Sequence, residues 1–269
     1  MKVFSSELLK DMVAIVTGGG TGLGKKMAQE LGQAGASVML VGRREDPLRA
    51  TQQELTEMDI ACGYVVANIR NPEDVQRTVS ETIRVFGLVN ILINNAGGQF
   101  VQPAEDFSVK GWKAVIDTNL NGTFYMTQAV GRQMIKQREG GVVLNILVNF
   151  LHRGASGIAH SVAARNGVYG LTKTLAVEWA KYQIRVNAVG PGLFITEGMM
   201  EEMASAGGPS FVETVRQGTP LKRTGRPEEL AWLATFLCSP AASYITGEYI
   251  RIDGGNSLGG GIQLLPECD

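Results

Sequence analysis

Short apolar runs rich in β-favouring residues alternate with longer amphipathic stretches along the whole chain. Val13–Val16, Ser37–Val41, Ala61–Val66, Ile91–Ile93, Val142–Leu147, Arg185–Val189 and Tyr249–Ile252 have the length and branched or aromatic content of strands. Apolar positions three and four apart predict helices over Leu23–Ala34, Pro47–Met58, Pro72–Phe86, Lys110–Lys136, Ala163–Lys181 and Pro227–Leu237, several opened by proline. Strands alternating with helices imply a parallel sheet covered on both faces, an α/β doubly wound fold of about seven strands in a single domain over residues 1–269. Two segments break the rhythm. Residues 199–218, rich in Met, Gly, Ala and Ser, read as a long loop of the kind that forms substrate lids, and 254–269 as a glycine-rich tail.

Composition narrows the partners. With 25 basic and 26 acidic side chains the net charge is −1, which leaves no broad electrostatic footprint for nucleic acid or an anionic membrane; an anionic ligand must be small and held by a local cluster. No apolar run reaches the length of a membrane span, since Asn145 and Asn149 interrupt the longest. Cys62, Cys238 and Cys268 are too few and too scattered for a disulfide framework, and no ligand spacing suggests a metal. A cytoplasmic protein is expected.

Directly after the first strand stands Thr17-Gly-Gly-Gly-Thr-Gly-Leu-Gly24, with a helix behind it. Glycines at that junction allow a tight turn and close approach of backbone to a pyrophosphate, while the helix start offers amide donors and partial positive charge. Gly18, Thr21, Gly22, Leu23 and Gly24 are therefore the candidate contacts of a dinucleotide in a Rossmann-type fold. The second strand ends in Arg43-Arg44, where a site preferring NAD usually carries an acid for the ribose hydroxyls. Two guanidiniums suit a 2′-phosphate, so NADPH is the expected cofactor; solvated surface arginines are the competing reading.

The glycine motif, Asn94-Asn-Ala-Gly97 after the fourth strand, Asn119 in Thr-Asn-Leu-Asn-Gly, Pro191-Gly192 after the sixth and the closing Tyr-Ile-Thr-Gly…Asp-Gly-Gly255 resemble the short-chain dehydrogenase/reductase family over nearly the whole chain. That resemblance implies that Asn68 and Ile69 flank the adenine, that Asn95, Ala96 and Gly97 line the adenosine ribose side, and that Pro191, Gly192 and Thr196 meet the nicotinamide and pyrophosphate. It also implies a homotetramer.

The usual family member has a serine after the fifth strand and a Tyr-x-x-x-Lys pair on the next helix. Tyr169-Gly-Leu-Thr-Lys173 matches that pattern, but Asn166-Gly-Val168 and Leu171-Thr-Lys-Thr-Leu-Ala-Val-Glu-Trp179 fill the family's downstream positions and shift the catalytic pair onto Ser161 and Arg165. Tyr169 lies eight residues beyond Ser161, about 12 Å along a helix. Val148 stands where the upstream serine is expected. A guanidinium does not shuttle protons at neutral pH, and a serine donates a hydrogen bond without being an acid. Carbonyl reduction, in which an alkoxide must be protonated, is disfavoured. Reduction of a C=C conjugated to a thioester asks instead for donors aimed at the thioester oxygen, a role open to Ser161, Asn119 and backbone amides, with Arg165 on the nicotinamide ribose.

Asn68-Ile-Arg-Asn71, Gly97-Gly-Gln-Phe100, Gly111-Trp112, Asn121-Gly-Thr-Phe-Tyr-Met126 and His160-Ser161 with Ala163-Ala-Arg165 resemble the peroxisomal trans-2-enoyl-CoA reductases, and more distantly the 2,4-dienoyl-CoA reductases, where Phe150 replaces an upstream tyrosine. An NADPH-dependent reductase of an α,β-unsaturated acyl-CoA or similar thioester is the resulting expectation. Arg153, Lys222, Arg223 and Arg226 are candidates for coenzyme A phosphates, and His152 or His160 for a proton donor. The rivals are a carbonyl reductase using Tyr169 and Lys173, and a catalytically silent NADP-binding protein.

Overall fold

The computed structural model describes residues 3–196 and 208–259. Its strands are β1 (Val13–Thr17), β2 (Ser37–Gly42), β3 (Cys62–Val66), β4 (Ile91–Asn94), β5 (Gly141–Ile146), β6 (Ile184–Pro191) and β7 (Tyr249–Ile252). They form one seven-stranded sheet in the order β3-β2-β1-β4-β5-β6-β7, every pair parallel. The helices are α1 (Gly22–Gln33), α2 (Glu45–Glu57), α3 (Pro72–Phe86), α4 (Val109–Ile116), α5 (Thr123–Gln137), α6 (Ala159–Trp179), α7 (Gly208–Gly218) and α8 (Pro227–Cys238).

Alternation along the strands divides the core into two layers. Ala14, Val16, Val38, Leu40, Ile91 and Ile93 point one way, onto Met27 and Leu31 of α1 and Leu230, Ala234 and Leu237 of α8. Ile15, Met39, Leu92, Val143 and Val186 point the other way, onto Val75 and Val79 of α3, Met126, Val130 and Met134 of α5 and Leu175 of α6. With both faces covered, β1 is buried at all five positions, which is why it reads as an unbroken apolar run. Chain order reverses between β1 and β4, so a crevice opens over their carboxyl ends, where ligands of doubly wound sheets bind.

Three expectations are corrected. The single helix expected over Lys110–Lys136 is α4 and α5 joined by a wider π turn, Asp117–Gly122, in which Asn121 bonds Asp117 (2.8 Å) and Thr123 Oγ1 donates to the Asn119 carbonyl (3.0 Å). Helix α6 starts at Ala159 rather than Ala163, bringing His160 and Ser161 into its first turn. The loop read over 199–218 contains α7 in its second half; residues 199–207 lie outside the described residues. The tail is anchored as far as it is described, because Asp253 accepts from the Gly255 and Ser257 amides (3.0 and 2.8 Å) and from Asn149 (2.9 Å).

Candidate active site

The glycine turn between β1 and α1 is shaped for something that lies against backbone. Gly18 has φ +65°, and a Cβ there would meet Asn95 Nδ2 at 2.8 Å; a Cβ on Gly24 would land on the Gly18 carbonyl. The Gly18 amide is tied back to Val41 (2.7 Å), so the turn is held in this form. Thr21 caps α1 in extended conformation without a side-chain bond, and the first turn holds no acid. Its amides are left for an anion. Thr196 closes the opposite side, 3.4 Å from where a Gly22 Cβ would sit. This cradle fits a pyrophosphate.

The loop after β4 is braced onto the same turn. Thr17 Oγ1 accepts from the Asn95 and Ala96 amides (2.9 and 3.0 Å), and Asn95 Nδ2 donates to the Thr17 carbonyl (3.0 Å). Thr17 was legible only as the first letter of the glycine motif; its positioning role comes from the fold. Asn68 is fixed beyond β3 by its amide on Asp74 (2.8 Å), while the Ile69 side chain is buried against Gly122, leaving only Ile69 backbone for an adenine. Arg43 and Arg44 are exposed at the end of β2 and have no side-chain partner among the described residues. Pro191 ends β6, and Gly192 bonds Ile252 (3.0 Å) so close to Asp253 that a Cβ would collide with it.

Deeper in the crevice, the π turn aims the buried Asn119 amide at Gly98, accepting from its amide (3.0 Å) and donating to its carbonyl (2.8 Å). Asn119 thereby fixes the loop that faces Arg165, whose Nη2 would stand 3.3 Å from a Cβ on Gly97. One turn apart on α6, Arg165 donates to the buried Ser161 hydroxyl, and Ser161 donates to Gln99 Oε1 (2.6 Å). The geometry thus joins Asn119, Ser161 and Arg165 as the sequence grouped them, and adds Gln99, which had stood out only as part of a motif. Burial lowers the Arg165 guanidinium to about 10, still charged at neutral pH.

Tyr169 is elsewhere. Its ring lies 5.3 Å from that of Tyr249 and 6.0 Å from that of His152, on an apolar cluster with Leu147, Leu151 and Val168. Lys173 Nζ sits 4.3 Å over the centre of the Tyr169 ring, a cation–π contact rather than a bond to the hydroxyl. Val148 packs beside the same cluster and its carbonyl accepts from the Tyr249 hydroxyl, so the position of the family serine carries an apolar side chain. Of the loop cations, Arg223 is committed to Glu229 by two bonds of 2.8 Å and Arg153 to Asn256 (3.0 Å); Lys222 reaches the Gln217 carbonyl (2.9 Å).

The family model described as enoyl-(acyl carrier protein) reductase matches residues 18–257, from the glycine turn to the anchored tail. The chain belongs to the short-chain dehydrogenase/reductase family. It is an oxidoreductase of that family by its relatives and by its structural neighbours. A probable 2,4-dienoyl-CoA reductase of Bacillus subtilis is 40% identical over 253 residues, 93% of this chain and 98% of that one. A peroxisomal 2,4-dienoyl-CoA reductase of Danio rerio is 35% identical, covering 94% and 84%. A crystal structure of a short-chain dehydrogenase from Bacillus anthracis superposes with a TM-score of 0.85 at 39% identity, over 96% of this chain and all of the other. Family membership brings a nicotinamide cofactor to the crevice that the glycine cradle fits.

Proposed function

We propose that the chain is an NADPH-dependent reductase of the C=C bond of α,β-unsaturated acyl thioesters. The observation that carries this reading is the direction of the Arg165–Ser161–Gln99 chain. Arginine has no acceptor, so Ser161 Oγ must accept from it and point its only proton outward, at a carbonyl oxygen that in this structure belongs to Gln99. A substrate carbonyl taking the Gln99 position meets a charge-assisted donor and, among the described residues, no acid.

Bound in the crevice, a reduced nicotinamide supplies hydride. Added at the β-carbon of an enoyl thioester, hydride drives the C=C pair toward the carbonyl, and negative charge collects on the thioester oxygen. Ser161 stabilises that oxygen by its hydrogen bond, with the Arg165 charge behind it. A proton from water then adds at the α-carbon. A 2,4-dienoyl thioester presents the same carbonyl with a longer conjugated system, and the names of the Bacillus and Danio relatives support testing it beside the simple enoyl substrate.

Preference for NADPH rests on Arg43 and Arg44, exposed and unpaired among the described residues where a 2′-phosphate would lie. The reading includes a homotetramer, following the family resemblance, and a reducing cytoplasmic setting, in keeping with Cys62 and Cys238, whose thiols burial pushes up to about 12. Reduction of crotonyl-CoA with NADPH deuterated at nicotinamide C4 tests the chemistry. The expected product is butyryl-CoA labelled at the β-carbon; reduction at the carbonyl, or none with either conjugated thioester, overturns the proposal.

A further inference from the structure

The segment 97–107, which carries Gln99 to Ser161, contains no strand and only a single short helical turn, and none of its side chains is buried. Polar bonds hold it at three points: Gly98 on Asn119, Gln99 on Ser161, and the Gln102 amide on the Gly157 carbonyl (2.9 Å). Water can replace each of these. Val101 lies against Gly157, and the remaining attachment is aromatic. The Phe107 ring stacks on His160 with centroids 4.5 Å apart and planes 13° apart, and Phe100 meets the same imidazole edge to face at 4.5 Å. His160 itself is wholly buried.

The two imidazole nitrogens differ. Nδ1 accepts from the Ser161 amide (2.7 Å), which also reaches the Ile158 carbonyl at the uncapped start of α6. Nε2 is buried with no hydrogen-bond partner among the described residues. Nδ1 also stands within hydrogen-bonding reach of the Ile158 carbonyl, so the neutral ring can meet either backbone group there.

We infer that His160 is the positioning residue that seats segment 97–107 over Ser161 and Arg165, and that it does so only as the neutral imidazole. Protonation turns Nδ1 into a donor, exchanging the Ser161 N–H for the Ile158 carbonyl and leaving a second N–H, on buried Nε2, with no acceptor among the described residues. It also buries a charge that no carboxylate among the described residues meets. Arg165, on the same helix, is the charged group that acts on His160, and it repels; the segment packs Phe100 and Phe107 against the ring, neither of which ionises, and the Ile158 carbonyl is the backbone group that favours the cation. Burial and Arg165 accordingly hold His160 below its ordinary value of 6.5. Seating is complete above that value and is lost as the pH falls beneath it. Released, the segment takes the Gln99 oxygen away from Ser161 and opens the site.

Hydrogen exchange of peptides covering 97–107, at about pH 5 and about pH 7.5 and corrected for intrinsic rates, tests this without reference to any substrate. The wild type is expected to be protected at the higher pH and to lose about tenfold of that protection at the lower one. His160→Phe keeps the stack and cannot titrate, so its protection is equal at both; His160→Asn keeps an acceptor near the Ser161 amide without a ring, so it is unprotected at both. Wild-type protection independent of pH, acid loss persisting in His160→Phe, or full protection in His160→Asn each overturns the inference. If neither variant folds, Phe107→Leu removes the stack from the segment's side. Exchange faster at neutral pH with dinucleotide affinity retained supports the inference, and unchanged exchange contradicts it.

Discussion

Arg165 donates to the hydroxyl of Ser161 one helical turn before it, and because arginine cannot accept in return, the serine proton is left for another acceptor, here Gln99 Oε1 (2.6 Å). In most hydroxyl pairs the direction is free to reverse. Here it is not, and the proposed consequence is a donor available to a substrate carbonyl that displaces Gln99.

Replacing Ser161 with alanine removes that donor and leaves the cofactor cradle of Gly18, Gly24 and Thr196 intact. Steady-state rates with an enoyl thioester are expected to fall about 100- to 1000-fold in kcat, as for loss of one oxyanion donor. NADPH affinity, followed by fluorescence titration, stays within about twofold. A variant with unaltered kcat would remove Ser161 from the mechanism.

Arg165 gives the pH profile its alkaline edge. Burial disfavours the charged guanidinium and lowers it to about 10, so the cation is present below that value and is lost as the pH rises through it. The profile of kcat should be level across the neutral range and decline near pH 10. In Arg165→Gln the residual rate should carry no such edge.

Much of this was legible in the chain, for definite reasons. The glycine motif needs only local geometry, so Gly18 and Gly24 could be assigned to a turn from their spacing, and the family pattern over Asn166–Trp179 grouped Ser161 with Arg165, which the fold brings into contact. Gln99 and His160 could not be read the same way. Their roles depend on contacts 62 residues apart, between Gln99 and Ser161, and on the π turn that lets Asn119 grip Gly98. A helical periodicity over Lys110–Lys136 carries no mark of that turn, because one extra residue shifts the phase without changing which residues are apolar. Tyr169 shows the converse: a familiar motif, present in full, that the helix directs to an aromatic cluster.

Arg43→Ala should lower the preference for NADPH over NADH. Loss of a charge-assisted pair with a 2′-phosphate is expected to weaken NADPH about tenfold or more and leave NADH nearly unaffected, measured as the ratio of the two dissociation constants. An unchanged ratio assigns the arginine to solvent.

Tyr169→Phe tests the rival chemistry. With its ring packed on Tyr249 and its face covered by Lys173, the hydroxyl is expected to take no part in the reaction, so kcat/KM for an enoyl thioester should stay within about twofold of the wild type. Loss of turnover in this variant would restore tyrosine as the proton donor.

The most direct test of the account is the ratio of kcat/KM for crotonyl-CoA to that for acetoacetyl-CoA, both followed by NADPH oxidation with the wild-type protein. A site with the Ser161 donor and no acid among its described residues should favour the conjugated double bond by about 100-fold or more, the scale that general acid catalysis contributes to carbonyl reduction. Equal or greater turnover of the ketone would contradict it.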